Sequence, residues 1–536
     1  MSFAAKTHPN LKSLWAGLLV AFAPFGVQAA GPAAPDAGSL LRQIQPMTPP
    51  VPSSTAPGLR IEREGGTKLP ASAPFEVKSI RISGHALFNT STLHALVADA
   101  EGKNFTLSQL GELAARITDY YQSHGYPLAR AIIPAQAIRD GVVTIAVIEA
   151  RYGKVKLDNR SRVKDPLLQA TLSPLQSGQA IAQESLDTSL LLLSDVPGVV
   201  VAATLKPGES VGTSDLLVNT APGPAVSGNL VLDDYGNRYT GRARIGGTMN
   251  FINPLRHGDV LSVNGLSSGR GMNYARLTYE ALLNGRGTRI GGSVSALNYI
   301  LGDPLAALNA HGTAQVESLW AKHPLLRSPD SNLYGQLQFD RLQLRDHIDA
   351  SAISKDRSLA NATAILAGDA RDALLAGAAS AWNVGWTTGR VGYDDEAAKL
   401  ADAATARTQG GFSKWNASLA RLQGLSQTNT LYLAFSAQWA GDNLDPSQKL
   451  PAGGPYTVRA YDMGAISGDS GYVGIVEFRH VLGTAWSGQW QAVAFVDSAH
   501  VSVNQNVWAA GTNRARLSGA GLGLNWAGPS QWSARV

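Results

Sequence analysis

The chain has 536 residues, of which 16% are charged, 44% are hydrophobic and 56 are glycine. This length allows two or three domains, and the low charge with abundant glycine favours a membrane β-barrel over a helical membrane protein, which needs apolar runs of about 20 residues. A net charge of +5 with scattered basic residues argues against a nucleic-acid partner, and the absence of cysteine excludes disulfides and thiolate metal sites.

The N-terminus predicts a secretory signal. Lys6 and Lys12 precede an apolar stretch from Leu14 to Val27, and Val27-Gln28-Ala29 matches a cleavage site. Because the stretch is short and small residues follow it, cleavage is favoured over a membrane anchor. Residues 1–29 are therefore assigned as a signal peptide.

Residues 30–73 have the Pro-, Ala-, Gly- and Ser-rich composition of a linker. One patch, at about 36–45, predicts a short helix. Asp36 is placed to cap it, Leu40, Leu41 and Ile44 share one side, and Pro46 stops it. About ten residues of helix are marginal alone, so this helix has to dock on another part of the protein.

Two small α+β units are predicted next. Residues 74–152 combine strands and helices in the order β-α-α-β-β, and Asp140-Gly141 forms the turn between the last two strands. Residues 153–222 repeat this order more weakly. Two related units in tandem indicate a short repeat array.

From residue 223 to 536 helical periodicity largely disappears, and alternating segments of roughly 10 to 15 residues follow one another. In Leu431–Ala440 apolar side chains occupy one face and polar side chains the other, and Asn332–Asp340 repeats the pattern. Such strands suit a soluble sandwich or a membrane barrel. About 300 residues of long strands without covering helices require closure, which favours the barrel. The pattern predicts about fourteen strands and a fifteenth that starts at Gln531.

Several short motifs together resemble one family. In the first α+β unit they are Phe75-Glu76-Val77, Tyr120-Tyr121, Gly125-Tyr126, Ile133-Pro134-Ala135-Gln136, Asp140-Gly141 and Val147-Ile148-Glu149; at the start of the barrel they are Asp234-Tyr235-Gly236, Thr240-Gly241, Asn253-Pro254 and Gly258-Asp259. The chain resembles the outer-membrane transporters of two-partner secretion (TpsB type, the filamentous haemagglutinin and haemolysin secretion-activation family). The resemblance implies a sixteen-stranded barrel preceded by two polypeptide-transport-associated (POTRA) modules, and a plug function for the short helix.

Two motifs carry the implied mechanism. Val458-Arg459-Ala460-Tyr461, in a long loop at about 441–470, is similar to the family's loop tip, which folds back into the pore. Ala460 replaces the usual glycine, so positive φ is less accessible there. Phe495-Val496-Asp497 resembles the family's acidic strand motif. The resemblance implies that Arg459 pairs with Asp497, whereas without it a solvated arginine and an ordinary pore-lining acid are the simpler interpretation.

Strand parity places Asp497 in the lumen independently. Trp490, Ala492, Ala494 and Val496 share the apolar parity, which should face lipid, so Asp497 faces inward. A carboxylate in a narrow lumen requires a partner, and the planar fork of arginine suits one. Glu477 and Arg479 share a parity and are predicted to extend the network around Arg459.

The resemblance implies a transporter that captures an unfolded exoprotein of haemagglutinin, haemolysin or adhesin type in the periplasm and moves it across the outer membrane of a Gram-negative bacterium. Its partners would be that exoprotein and outer-membrane lipid, with no nucleotide and no cofactor. The alternatives are a barrel-assembly factor and a passive porin.

Catalytic and metal sites are disfavoured. Gly265-Leu266-Ser267-Ser268-Gly269 matches a hydrolase pattern but lacks the strand-to-helix elbow that the pattern requires. The paired acids Asp233-Asp234 and Asp394-Asp395 have the composition of a cation site, but acid pairs in barrel turns are usually solvated. We predict no enzyme and no metal site.

The C-terminus departs from the sixteen-strand pattern. The chain stops at Arg535-Val536, early in a strand. We expect the closing strand to be missing, as in a fragment or a truncated product.

Overall fold

The structure, a computed structural model, describes residues 34–44, 58–62 and 72–536. The predicted signal peptide and most of the predicted linker lie outside these residues. Within the three described ranges, no helix is both long enough and apolar enough to cross a membrane.

Two short elements precede the first α+β unit. They are α1 (Ala37–Ile44) and β1 (Leu59–Ile61). The side chain of Asp36 accepts a hydrogen bond from the backbone N–H of Ser39 at 2.8 Å, which satisfies one of the free donors at the start of α1. The helix has an apolar side on which Leu40 and Leu41 are buried.

The first α+β unit contains a three-stranded sheet and a two-stranded ribbon. Its elements are β2 (Phe75–Val77), β3 (Ser79–Ser83), α2 (Thr90–Ala95), β4 (Lys103–Phe105), α3 (Leu107–Ser123), β5 (Arg130–Ile132) and β6 (Val142–Ile148). The sheet order is β3-β6-β5, and β2 pairs with β4. Strand β4 is absent from the predicted order because three residues are too few for an alternating pattern to be recognised.

The second unit has the same mixture of strands and helices. Its elements are β7 (Arg151–Asn159), α4 (Asp165–Leu172), α5 (Gln183–Ser194), β8 (Val199–Pro207) and β9 (Thr213–Pro222). The sheet order is β1-β8-β9-β7, so a segment from before the first unit forms one edge of the second. Strand β7 begins at Arg151, two residues before the predicted boundary at 153.

The rest of the chain forms one antiparallel sheet of fifteen strands in sequence order. The strands are β10 (Val226–Asp233), β11 (Arg244–Ile252), β12 (Val260–Ser267), β13 (Met272–Leu282), β14 (Arg289–Ile300), β15 (Ala310–Arg327), β16 (Ser331–Ile348), β17 (Ile353–Asp372), β18 (Ala378–Tyr393), β19 (Gly410–Gly424), β20 (Asn429–Ala440), β23 (Ser470–Ala485), β24 (Gly488–Ser502), β25 (Arg514–Ala527) and β26 (Ser533–Arg535). Fourteen long strands and a short fifteenth match the number that the alternation predicts.

The segments that connect these strands and helices contain the remaining short elements. These are α6 (Glu396–Ala404), β21 (Leu450–Ala452), β22 (Ile466–Gly468) and five single-turn 3₁₀ helices at Ala98–Ala100, Ala306–Leu308, Asp349–Ser351, Pro446–Gln448 and Pro529–Gln531.

The two faces of the sheet differ as the alternation predicts. On β20 the outward side chains of Phe435 and Trp439 are 44% and 55% exposed, whereas Gln438 on the other face is fully buried. An apolar outer face suits contact with lipid. Helix α1 lies against the inner face, where Ala37, Leu40 and Leu41 share a buried cluster with inward side chains from β13 to β19.

Candidate functional site

Residues 441–469 connect β20 to β23 on the rim opposite the α+β units, and part of this connection turns inward. Strands β21 and β22 pair with each other and form the base of the turn. The buried side chain of Val458 anchors the tip in a small apolar cluster on the inner wall, together with Ala452, Val473, Ala499 and Leu517. We call residues 453–465 the pore-loop tip.

Arg459 of the pore-loop tip makes a two-pronged contact with Asp497 on β24. Its Nε and Nη2 atoms donate to the two carboxylate oxygens, each at 2.8 Å. The backbone N–H of Arg459 donates to the same carboxylate at 3.2 Å. Asp497 is fully buried. This bidentate geometry is the strongest form of a carboxylate–guanidinium contact, and it satisfies a charge that is costly to bury alone.

Glu477 on β23 extends the contact. Its Oε2 accepts from Nη1 of Arg459 at 2.6 Å, and its Oε1 accepts from Nε of Arg479 at 2.6 Å. Arg535 on β26 approaches the same oxygen at 3.4 Å. The guanidinium of Arg459 also lies 3.5 Å from the ring centre of Phe495. The five charged groups thus form one network of three cations and two anions. The network lies along one side of the lumen.

Ala460 is accommodated by a glycine on the wall. Gly519 of β25 stands opposite Asp497 in the strand register. A methyl group built on Gly519 would lie 2.7 Å from the Cβ of Ala460, closer than two such carbons approach. Ala460 is not among the residues with positive φ. Alanine at this position therefore causes no backbone strain in this conformation, and Tyr461 beside it closes the turn by donating its N–H to Val458 at 3.2 Å.

The pore-loop tip also contacts the first connection of the barrel, residues 234–243. Asp462 pairs with Arg242 at 2.8 Å and with Arg238 at 3.6 Å. The rings of Tyr235 and Tyr456 meet edge to face at 5.8 Å. The tip is consequently held by strands at one end of the sheet and by a connection at the other end.

A second buried cluster, which the sequence analysis missed, joins α1 to the barrel and to the long loop. The side chain of Arg357 on β17 is completely buried. It contacts Asp36 before α1 at 2.7 Å, Asp346 on β16 at 2.5 Å and Asp445 of the loop at 2.5 Å. One guanidinium thus links three separate segments, and we call these four residues the Arg357 cluster.

The sequence contains only a weak signal for this cluster. Asp36 and Arg357 are 321 positions apart. Their types are ordinary for a helix cap and a lumen-facing strand position. Asp346 and Arg357 lie on neighbouring strands that form one hairpin, so a search for opposite charges on inward positions of adjacent strands would have found that pair.

The disfavoured sites have structural roles. Asp233 pairs with Arg244 at 2.8 Å, and Asp395 caps α6 by accepting the N–H of Ala397 at 2.9 Å. The Gly265–Gly269 motif runs from the end of β12 into a turn that leads to β13, without a helix. Across the described part of the chain, no group of three or more His, Asp or Glu residues is arranged to hold a metal ion.

The fold and these contacts define a class of protein. An antiparallel sheet with an apolar outer face, a lumen occupied by a helix and a loop, and α+β units at one rim is the architecture of an outer-membrane barrel with periplasmic modules. Comparison with known proteins narrows the class to a family.

Residues 212–526 match the family model described as haemolysin secretion/activation protein ShlB/FhaC/HecB, and residues 75–150 match the POTRA domain of ShlB type. The chain belongs to this family. It is therefore an outer-membrane transporter of two-partner secretion, whose POTRA unit lies in the periplasm and whose partner is a secreted exoprotein.

Two curated relatives support this assignment. The chain is 26% identical over 452 residues to the heme/hemopexin transporter protein HuxB of Haemophilus influenzae strain 86-028NP, covering 83% of this chain and 80% of the relative. It is 24% identical over 480 residues to the outer membrane transporter CdiB of Escherichia coli, covering 87% and 78%.

Solved structures share the fold. CdiB from Escherichia coli matches with a TM-score of 0.66 and 21% identity, covering 92% of this chain and 89% of that one. CdiB from Acinetobacter baumannii matches with a TM-score of 0.59 and 18% identity, covering 93% and 94%.

Proposed function

We propose that Arg459, Asp497 and Glu477 hold the pore-loop tip in the resting barrel, and that an exoprotein passes only after these contacts break. The observation that carries the proposal is the bidentate contact between Arg459 and the fully buried Asp497, at 2.8 Å for each donor. The tip fills lumen that an extended chain needs, so it has to move during transport.

The contact suits a reversible lock. In a lumen that fills with water, both ions regain hydration once separated, whereas in the closed state each compensates the burial of the other. The net free energy of closure is then small compared with the gross attraction of the pair. Such a balance allows a passing chain to shift the equilibrium by offering contacts of its own.

We propose that the partner is a large unfolded exoprotein of haemagglutinin, haemolysin or adhesin type. Residues 153–222 would act as a second POTRA module, and an extended segment of the exoprotein would add to a module edge by strand pairing. The description of the matching family, haemolysin secretion/activation protein, supports an exported protein partner. The protein performs transport and no catalysis.

Helix α1 is proposed to act as a plug. Its buried face lies on the inner wall, and the Arg357 cluster holds its N-terminal end. The N-terminal residues 1–29 would direct export and be removed, and residues 30–73 would contain the plug helix and link it to the first module.

Replacing Arg459 by Ala tests the lock. Secretion of the partner exoprotein should fall strongly, while the barrel still assembles. The matched control is Arg421→Ala, which removes a barrel arginine whose pair with Asp372 is partly exposed. Normal secretion by the Arg459→Ala protein, with the folded barrel present at the parent level, would refute the proposal.

A charge exchange tests direct contact. Arg459→Asp and Asp497→Arg should each reduce secretion, and the double variant should recover part of the loss. Because Glu477 stays in place and repels an aspartate at 459, we expect incomplete recovery. A double variant no better than either single one would argue against a pairwise lock.

A further inference from the structure

The second α+β unit, residues 151–222, contacts three successive turns at the periplasmic rim of the barrel. Asn253 in the first turn donates its side-chain N–H to the backbone oxygen of Pro197. Leu282, beside the second turn, belongs to the same buried apolar cluster as the core of the unit. At the third turn, Thr188 of α5 donates its hydroxyl to the backbone oxygen of Arg327 at 2.9 Å.

An ion pair between Arg327 and Asp195 lies within this interface. Arg327, the last residue of β15, donates from Nε and Nη2 to the two carboxylate oxygens of Asp195, at 2.7 and 2.9 Å. Arg327 is 2% exposed. Its guanidinium is also fixed from the barrel side, because Nη1 donates to Asn332 at 2.8 Å and Asn332 in turn donates to Asp369 at 2.9 Å. The barrel thus holds the guanidinium of Arg327 in an orientation that fits the carboxylate of Asp195 in the periplasmic unit.

Asp195 occupies a position that its own helix does not favour. It is the C-cap residue of α5, where the helix dipole is negative and an acidic side chain is locally unfavourable. The guanidinium of Arg327 compensates this cost. Asp195 is unfavourable in its own helix but completes a contact with the barrel. This combination indicates that the contact between the domains, and not the helix, explains why an aspartate stands here.

We infer that Arg327 and Asp195 are positioning residues that anchor the second α+β unit to the barrel, so that the two move as one body and α5 stays at the periplasmic mouth during transport. The chain captured by the periplasmic units would then always meet the pore from the same direction. The inference rests on the transport function but not on the Arg459 lock.

The test uses the absence of cysteine from the chain. Asp195→Asn removes the charge of the anchor and leaves the barrel residues untouched. We expect secretion to fall by about tenfold, which corresponds to about 1.4 kcal/mol. Spin labels on the periplasmic unit and on the barrel rim should show a broader distance distribution. Asp372→Asn, on the same rim but paired with Arg421 of the barrel itself, is the matched control and should change neither measurement.

A covalent bridge separates positioning from other roles. Thr188→Cys and Ser328→Cys, joined by a short bis-maleimide, would reattach the unit at the third turn. The bridged parent should secrete normally, and bridging should restore secretion to the Asp195→Asn protein. Loss of secretion in the bridged parent would show that the unit has to move, and failure of the bridge to rescue Asp195→Asn would show that Asp195 does not act by positioning. Either result would overturn the inference, even if Arg459→Ala still reduced secretion strongly as proposed above.

Discussion

Replacement of Arg357 by Gln should release the plug helix. The substitution removes the guanidinium that contacts Asp36, Asp346 and Asp445 together, and leaves three carboxylates close to one another in the lumen. Removing one partner from a buried ion pair costs about 3 to 5 kcal/mol. When α1 leaves, Asp36 moves away from the other two carboxylates and water can enter. The substitution should therefore destabilise the docked state of the helix more than the released state.

The size of the effect follows from that range. About 3 kcal/mol is more than two factors of ten in an equilibrium constant. Leu41→Cys provides the reporter, because Leu41 is 4% exposed in the docked helix and the chain contains no other thiol. We expect maleimide to label Cys at position 41 at least about a hundredfold faster in the Arg357→Gln protein, and planar-bilayer conductance to rise in parallel.

Two comparisons make the result interpretable. Arg421→Gln in the same Leu41→Cys background should leave labelling unchanged, because its partner Asp372 has no contact with α1 in the described structure. Adding Asp36→Asn to Arg357→Gln removes one of the three like charges and should slow the labelling again. Equal labelling rates in the parent and in Arg357→Gln, with both barrels folded by heat-modifiable migration, would refute the reasoning.

Two further predictions concern the tip and the first module. Gly519→Ala should displace the pore-loop tip and reduce secretion, because the new methyl group meets Ala460 at 2.7 Å, and Ala460→Gly should restore secretion in the double variant; a double variant as defective as Gly519→Ala would exclude this contact as the cause. In the first module, burial raises the pKa of the Glu149 carboxyl, but hydrogen bonds from the Ala86 and Leu87 amides and from the Tyr121 hydroxyl outweigh it and hold the pKa below its ordinary value. A lowered folded pKa stabilises the module above the unfolded value of about 4.3, and this stabilisation is lost as the pH falls through the folded value. Pulse proteolysis in urea, with pepsin for the acid points and a neutral protease at pH 7, should therefore show the parent module losing stability below about pH 5. Glu149→Gln should be less stable at neutral pH and should depend less on acid; identical acid profiles would show that Glu149 is not responsible.

On the strands with a clear alternating pattern, the sequence by itself determined which face of the barrel a side chain occupies. Because side chains alternate along a strand with a period of two, the apolar parity of Trp490 to Val496 is sufficient to turn Asp497 inward, and Asp497 is fully buried in the structure. The same alternation gave the number of strands. The Arg459 contact was predicted from the family resemblance, since a loop residue has no parity.

Only the tertiary structure decided which inward charges meet. Parity specifies a face of the sheet, but it does not specify the height of a residue along the barrel or the neighbour that the strand register places beside it. Asp36 reaches Arg357 because α1 docks inside the sheet, and Asp195 reaches Arg327 because a periplasmic unit sits on the rim. Both contacts join segments more than a hundred residues apart, and local pattern carries no information about such pairs.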